Sequence, residues 1–346
     1  MSARDWRDAT IAVLDLMNSD QPSPGISFLR ALRRDPSFRG KLIALGASPH
    51  DSGLYLKGLA DDTVIVPPGA VAADFLRSIL DIHSRAPVDI LVPGSSRSVK
   101  PVSRVQRELE AAGIAVPIAS PAALAACDEL RPLRKPRHGR LEMRQPAAES
   151  PEETKFGQEK LWVQTEKGAK YVITSPGQLY WFRRWQGDDA EILWQTEPTG
   201  NAVQASAVAL PDGRLAAVGA MNVISAAEDG TFWLGASFAD PDIPVLMRQL
   251  IRAFAWRGPL TADFIRKDDG CYALMRALPV LPSWIEACAT RAGSMAGAIA
   301  AAALDNGWPR TIKLPAGRLV AHYAHDLAID MNQFAAFSQQ LPPPSH

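Results

Sequence analysis

The chain is 346 residues long and carries 37 basic and 37 acidic side chains, so its formal net charge at neutral pH is zero. This length is enough for two or three domains with cores of their own, and 47% hydrophobic and 21% charged residues are ordinary for a soluble globular protein. The balanced charge argues against nucleic acid as a partner and against electrostatic attachment to a membrane, because both need a basic field.

Three further features predict a cytoplasmic protein. The three cysteines have no C-x-x-C spacing, and their odd number argues against a disulfide framework. The amino terminus is charged and does not have the pattern of a signal peptide. The longest apolar run, Ala296–Leu304, is too short to span a bilayer.

Residues 1–128 alternate short apolar segments with amphipathic ones. The predicted strands are Thr10–Leu16, Lys41–Gly46, Asp62–Pro67, Val88–Pro93 and Ile114–Pro117. The predicted helices are Ile26–Arg34, Ala70–Arg85, Pro101–Ala112 and Pro121–Cys127. This alternation predicts a parallel, doubly wound, Rossmann-like α/β domain. The loop Asn18–Gly25 follows the first strand, where such sheets bind ligands, although it has no Gly-x-Gly-x-x-Gly and its prolines also fit a plain connection to the first helix.

The composition changes at about residue 129. Residues 129–160 are rich in Arg, Lys, Glu, Pro and Gln, which predicts a polar linker or a reduced lobe. Residues 161–346 then follow an α+β pattern. The predicted strands are Leu161–Gln164, Ala169–Ile173, Glu191–Gln195, Val203–Leu210, Leu215–Gly219, Asp263–Arg266 and Cys271–Arg276. The predicted helices are Pro176–Gln186, Ile243–Ala255, Pro282–Ala292 and Ala296–Asn306.

Five segments carry a resemblance to a known superfamily. They are Asn18–Gly25, Pro49–Tyr55, Trp256–Pro259, Pro282–Ile285 and Asp326–Asp330. In order and spacing they resemble the ATP-grasp superfamily, and within it the carbamoyl-phosphate-synthase-like or biotin-carboxylase-like bacterial proteins, some of which neighbour PqqD-like peptide-binding proteins. The resemblance covers nearly the whole chain. It implies a preATP-grasp domain over 1–128, the linker or reduced lobe over 129–160, and a two-lobed ATP-grasp domain over 161–346.

The resemblance also implies where a metal site would lie. In the family, an acidic residue on one hairpin strand and a Glu-x-Asn on the next hold Mg²⁺, and an arginine follows them. Asp263 matches the first acidic ligand. Aligning the Pro-x-Trp that ends the segment puts Arg276 at the glutamate, Leu278 at the asparagine and Val280 at the arginine. We expect Arg276 to form an ion pair with Asp263, with a residual metal site at Asp263 as the alternative.

The resemblance assigns nucleotide contacts to further positions. They are Gln164, Lys167, Lys170, Gln195, Thr196 and Glu197. Gln164 stands where the family has a phosphate-contacting lysine, and Thr196 stands where the adenine-reading strand commonly has an acid. Lys167 and Lys170 are close enough in sequence to substitute for the lysine, or they are exposed turn lysines.

A separate group, His322, His325 and Asp326, invites a metal interpretation. The segment that begins at Arg318 has the pattern of a strand, which would put the two histidines on opposite faces, so we expect no metal there. The tryptophans lack an accompanying basic stripe and predict core and groove positions rather than a nucleic-acid stacking platform.

These substitutions predict a degenerate ATP-grasp protein that needs no cofactor and serves as a non-catalytic binding or regulatory subunit. Its predicted partners are an active ATP-grasp paralogue or a PqqD-like peptide-binding protein, and neither a nucleic acid nor a membrane. One alternative is an active ATP-dependent carboxylate–amine ligase, which would form an acyl phosphate at a rearranged Mg-ATP site. The other is a binder of a non-nucleotide small molecule in the cleft between the lobes.

Overall fold

A computed structural model gives the fold, and it describes most of the chain. The described residues are 4–17, 23–66, 72–128, 141–143, 154–157, 159–165, 170–186, 192–198, 200–226, 232–290, 293–308, 310–323 and 326–339. Contacts within the chain define two compact units. The first comprises Met1–Arg131, Gln204–Thr261 and Ala277–His346, and the second comprises Pro132–Val203 and Ala262–Arg276. The division at residues 128 and 160 stays a prediction, which rests on the pattern and composition of the sequence and on the resemblance.

The regular elements are numbered in chain order. The strands are β1 Thr10–Leu14, β2 Lys41–Gly46, β3 Asp62–Ile65, β4 Ile90–Val92, β5 Leu141–Met143, β6 Glu159–Thr165, β7 Lys170–Ile173, β8 Ile192–Pro198, β9 Asn201–Ala209, β10 Leu215–Ala226, β11 Phe232–Ser237, β12 Gly258–Arg266, β13 Tyr272–Leu278, β14 Ile312–Lys313 and β15 Leu319–Ala321. The helices are α1 Pro24–Arg33, α2 Ala72–Arg85, α3 Ser96–Arg104, α4 Gln106–Ala111, α5 Pro121–Asp128, α6 Pro176–Gln186, α7 Asp242–Ala253, α8 Met295–Ala303 and α9 Met331–Ser338.

The first unit contains a parallel sheet with the strand order β3-β2-β1-β4. Ala12 of β1 pairs with Ile43 on one side and with Leu91 on the other. Successive side chains of β1 point to opposite faces of the sheet. Ile11 and Val13 pack in one apolar cluster with α1 and α8. Ala12 and Leu14 pack in a second cluster with α2 and α4. Both faces are therefore covered by helices, as the apolar strands require.

The carboxyl ends of β1 and β4 approach each other closely at Gly94. A Cβ atom at this position would lie 1.9 Å from the carbonyl oxygen of Leu14 and 3.0 Å from the Cα of Gly25. Only glycine allows this approach. The next residue, Ser95, caps α3 by accepting a hydrogen bond from the backbone N–H of Arg97 at 3.1 Å.

The first unit also contains strands of a second, larger sheet, in the order β15-β11-β10-β9-β12, with β14 parallel to β10. β10 and β11 are antiparallel, pair Met221 with Ser237, and shift register between Val223 and Ser225. Residues 262–266 of β12 belong to the second unit. So do residues 272–276 of β13, the hydrogen-bonded neighbour of β12, and β5, which runs parallel to β13.

The second unit also contains a three-stranded antiparallel sheet with the order β7-β6-β8. Helix α6 begins after Ser175, whose hydroxyl accepts a hydrogen bond from the backbone N–H of Gln178 at 3.3 Å. Its residues Leu179 and Phe182 pack on buried side chains of β6 and β7. This small apolar cluster holds the helix on one face of the sheet.

The predicted α/β domain followed by α+β lobes is confirmed, but several element assignments differ. The helix predicted over Pro101–Ala112 is two helices, α3 and α4, which meet at Val105. The strand predicted over Ile114–Pro117 contributes a single parallel bridge from Ala115 to Ile90. The sequence did not predict β5, β11 or α9.

The helix predicted over Pro282–Ala292 is wrong. The described part of this segment is irregular and has one 3-10 turn, Ile285–Cys288. The guanidinium of Arg318 donates hydrogen bonds to the carbonyl oxygens of Ala287 and Ala289, the latter at 3.0 Å. These carbonyls are thus satisfied by a distant side chain instead of by a continuing helix.

Within the described ranges, no helix is both long enough and apolar enough to cross a membrane.

Candidate functional site

The hairpin of β12 and β13 holds the residues to which the resemblance assigns metal binding. Asp263 lies on β12 and Arg276 on β13. The Nε–H of Arg276 donates a hydrogen bond to Oδ2 of Asp263, so the two side chains form an ion pair between neighbouring strands. The side chain of Asp263 is 19% exposed and that of Arg276 is 38% exposed, so water reaches the pair only in part.

The turn of this hairpin is closed by local chemistry that the sequence predicts. A carboxylate oxygen of Asp269 accepts a hydrogen bond from the backbone N–H of Cys271 at 2.8 Å, and Gly270 has a left-handed φ of 81°. That hydrogen bond lowers the pKa of the Asp269 carboxyl. The backbone N–H of Lys267 donates to the carbonyl oxygen of Cys271 at 2.9 Å and continues the ladder towards β12 and β13.

The segment after β13 is anchored by buried hydroxyl groups of the first unit. The hydroxyl of Thr261 donates to the carbonyl oxygen of Val280 at 2.9 Å, and it lies 3.2 Å from the hydroxyl oxygen of Ser206. Ser206 donates in turn to the carbonyl oxygen of Leu260 at 3.2 Å. Thr261 and Ser206 are 1% and 0% exposed, so their hydrogen bonds fix the backbone at Val280 in a dry environment.

A second buried bond holds the Pro-x-Trp segment. The indole N–H of Trp284 donates to the side-chain oxygen of Gln204 at 2.7 Å, and Trp284 is 1% exposed. The sequence did not single out Gln204, Ser206 or Thr261. The signal for them in the sequence is that they are polar residues in the otherwise apolar strands β9 and β12. Such a pattern fits a buried hydrogen-bond network and a solvated face of the sheet equally well.

The three-stranded sheet carries most of the positions to which the resemblance assigns nucleotide contacts. The register pairs Gln164 with Lys170, and Gln195 with Trp162. Paired residues share a face, and successive residues alternate, so positions 164, 170 and 195 lie on one face of the sheet. Glu197 pairs with Lys160. Lys160 lies two positions before Trp162 on the same strand, so Glu197 lies on this face as well.

Thr196 falls on the opposite face. Thr196 pairs with Leu161. Leu161 is fully buried and belongs to the same apolar cluster as Phe182 of α6. The structure therefore brings four of the described positions to one face and puts Thr196 on the face that the helix covers. Lys167 lies outside the described residues, as do most of the loop Asn18–Gly25 and His325. The ring of His322 packs edge-on against Trp233, with 5.1 Å between the ring centroids.

The fold is similar to that of several solved enzymes, although no protein-family model and no curated protein sequence matches the chain. An N5-carboxyaminoimidazole ribonucleotide synthetase in complex with ADP has a TM-score of 0.61 and 14% identity, over 90% of this chain and 80% of that chain. A biotin carboxylase from Campylobacter jejuni, crystallised as a β,γ-ATP complex, has a TM-score of 0.59 and 13% identity, over 88% and 73%. An L-amino acid ligase from Bacillus licheniformis has a TM-score of 0.59 and 12% identity, over 86% and 74%.

These likenesses support the ATP-grasp resemblance at the level of the fold. The predicted fold, a Rossmann-like domain followed by α+β lobes, is similar to the fold of these enzymes over most of the chain. At 12–14% identity the similarity concerns the fold and not the chemistry.

Proposed function

We propose that this chain is a degenerate ATP-grasp-fold protein, which binds a ligand or a partner protein and does not carry out Mg²⁺-dependent phosphoryl transfer. The observation that supports this proposal is the ion pair between Asp263 and Arg276. The resemblance assigns Asp263 to metal binding and gives Arg276 the position of a metal-binding glutamate. A guanidinium now bonds the carboxylate that a divalent cation would need, so the metal would have to displace a fixed positive charge.

The donor set of the hairpin does not fit Mg²⁺. This ion requires near-octahedral coordination by oxygen atoms and, in ATP-grasp chemistry, neutralises the charge of the transferring phosphate. The described residues contain no group of three or more His, Cys, Asp or Glu side chains that could hold a metal. Leu278 and Val280, at the family's asparagine and arginine positions, have aliphatic side chains and supply neither an oxygen donor nor a charge.

A protein of this kind acts by binding rather than by turnover. The partners we propose are an active ATP-grasp paralogue or a PqqD-like peptide-binding protein, both of which follow from the resemblance, and a small organic ligand remains the alternative. The three thiols, of which Cys127 and Cys288 are buried, fit a reducing compartment and are the basis for proposing a cytoplasmic location.

A second candidate is an ATP-dependent carboxylate–amine ligase with a rearranged site. The observation in its favour is that Gln164, Lys170, Gln195 and Glu197 share one face of the three-stranded sheet. Under this proposal Lys170 contacts phosphate, Gln195 and Glu197 contact the base, and Asp263 is the residual metal ligand. The L-amino acid ligase is a similar fold that performs such a reaction by its name.

Thermal unfolding with ATP, with and without millimolar Mg²⁺, distinguishes the two candidates. A ligand at a hundred times its dissociation constant stabilises the native state by about 2.7 kcal/mol. We expect no Mg²⁺-dependent increase in melting temperature for the wild-type chain, because the guanidinium of Arg276 already bonds the carboxylate of Asp263. A Mg²⁺-dependent increase that Asp263→Asn abolishes would favour the ligase.

The variant Arg276→Glu supplies a gain-of-binding test of the same idea. It sets a second carboxylate opposite Asp263, so Mg²⁺ should raise the melting temperature of this variant and not that of the wild type. Arg214→Glu is the matched control, since Arg214 also pairs with a carboxylate, that of Asp212, but in an exposed hairpin turn of the first unit. Equal Mg²⁺ responses of the two variants would show that the added charge, and not the position, is responsible.

A further inference from the structure

Strand β15 forms one end of the larger sheet, and its outer edge is open. Its neighbour is β11, and no other strand pairs with it in the part of the chain that the structure describes. The carbonyl oxygen of Arg318 accepts a hydrogen bond from β11 at 2.8 Å, and the backbone N–H of His322 donates one to β11 at 2.7 Å. Because successive residues of an antiparallel strand bond to opposite sides, Leu319 and Ala321 direct their backbone N–H and C=O groups away from β11.

The side chains along this edge are apolar and face water. Leu319 is 68% exposed and Tyr323 is 71% exposed, and Ala321 between them is exposed as well. Val320 points to the other face of the sheet, where it packs against the core of the first unit. The edge therefore combines outward backbone donors and acceptors with an apolar face, and this combination favours pairing with another strand.

Charged residues do not protect the edge. Natural sheets block their edges with charged side chains, with proline or with a bulge. Residues 319–323 contain neither a charged residue nor a proline. At neutral pH the segment 314–325 has one charged side chain, that of Arg318, and its guanidinium donates to the carbonyl oxygens of Ala287 and Ala289 in its own chain. A second strand can therefore approach without meeting a free charge.

We propose that β15 pairs antiparallel with β15 of a second copy of this chain, about a two-fold axis at Val320. In this register Leu319 stands opposite the partner's Ala321, and symmetry repeats the pair. The outward N–H and C=O groups of both residues then acquire hydrogen-bond partners. The ring of Tyr323 lies diagonally across from the partner's Leu319, within the reach of an aromatic side chain. The larger sheets of the two copies become one continuous sheet.

A second copy fits this edge better than a strand of another protein, because the edge is complementary to itself. An antiparallel strand pair has two-fold symmetry, so one segment supplies both sides of the interface. In the proposed register an exposed leucine covers an alanine and lies beside a tyrosine, and no like charges oppose each other. This pairing does not involve Asp263 or Arg276, so it holds or fails independently of the proposed loss of catalysis.

The test is sedimentation equilibrium of the full-length chain between about 10 µM and 1 mM, the range in which a weak dimer changes its average mass. We expect the mass of the wild type to rise towards that of a dimer. Ala321→Lys and Ala321→Asp should each weaken the dimer at least about tenfold, because like charges meet near the axis, and an equimolar mixture of the two should restore it. Ile224→Lys is the matched control, since Ile224 is 59% exposed but lies on β10, an interior strand. Circular dichroism should give all variants the fold of the wild type.

Amide hydrogen exchange, followed by NMR, identifies the interface. The amides of Leu319 and Ala321 should exchange at least about tenfold more slowly at the high concentration than at the low one. The amide of His322 bonds to β11 in either state and should not change. The proposal is overturned if the wild type stays monomeric, as it would if the edge served a strand of another protein. It is also overturned if the dimer persists in both charged variants, if their mixture stays monomeric, or if the two outward amides gain no protection.

Discussion

Replacing Arg276 by methionine tests how firmly the ion pair holds the hairpin. The substitution keeps an apolar stem of similar length and removes the guanidinium that bonds Asp263. Exposed ion pairs contribute at most about 1 kcal/mol, whereas breaking a fully buried pair costs about 3–5 kcal/mol. With side chains 19% and 38% exposed, the pair lies between these limits, and we expect Arg276→Met to lose about 1–2 kcal/mol of unfolding free energy.

Urea-induced unfolding measures this loss, and amide hydrogen exchange locates it. Because Asp263 and Arg276 join β12 to β13, the exchange of amides in these two strands should accelerate more than that of β1 or β2. Arg214→Met is the control, since the side chains of Arg214 and Asp212 are 64% and 51% exposed and their pair should contribute less than about 1 kcal/mol. The reasoning is refuted if Arg276→Met loses no more stability than this control and leaves the exchange of the hairpin unchanged.

Three further predictions concern other parts of the chain. Gly94→Ala should lose about 2–3 kcal/mol in urea unfolding, because its Cβ meets a carbonyl oxygen of β1, whereas Gly307→Ala, whose Cβ meets no atom within 4 Å, should be nearly neutral. In the native chain a thiol reagent should modify Cys271 well before Cys288, since Cys288 is fully buried and burial raises the pKa of its thiol; equal modification rates would contradict this. Phe337→Ala should lose about 1–2 kcal/mol and increase the binding of a hydrophobic dye, because the ring helps to hold α9 on the apolar cluster at β3; unchanged dye binding would contradict it.

Local sequence signals were sufficient for the parallel sheet and for the hairpin. β1 and β2 are continuous apolar runs between polar loops, and such runs have few alternatives to a buried strand. The pairing of Asp263 with Arg276 follows from the turn at Asp269 and Gly270, which directs the two flanking strands back along each other.

Nonlocal contacts explain most of what the sequence did not reveal. The segment predicted as the helix Pro282–Ala292 is held by Arg318, which lies 29–31 residues from the carbonyls that it bonds, and no local pattern reports such a bond. β5 lies in a polar stretch and is a strand through its pairing with β13. The prediction that the tryptophans lie in core or groove positions is wrong for Trp181 and Trp185, which are both 66% exposed, because helical spacing does not show which face of a helix meets the core.

The measurement that tests the central claim most directly is ADP release from Mg·ATP by the purified chain, with a panel of carboxylic acids and amines and with Asp263→Asn run in parallel. The account predicts that the wild type and Asp263→Asn release ADP at the same background rate with every pair of acid and amine. ADP release that depends on a particular acid and disappears in Asp263→Asn would contradict the account. The carboxylate of Asp263 would then bind a metal instead of pairing with Arg276.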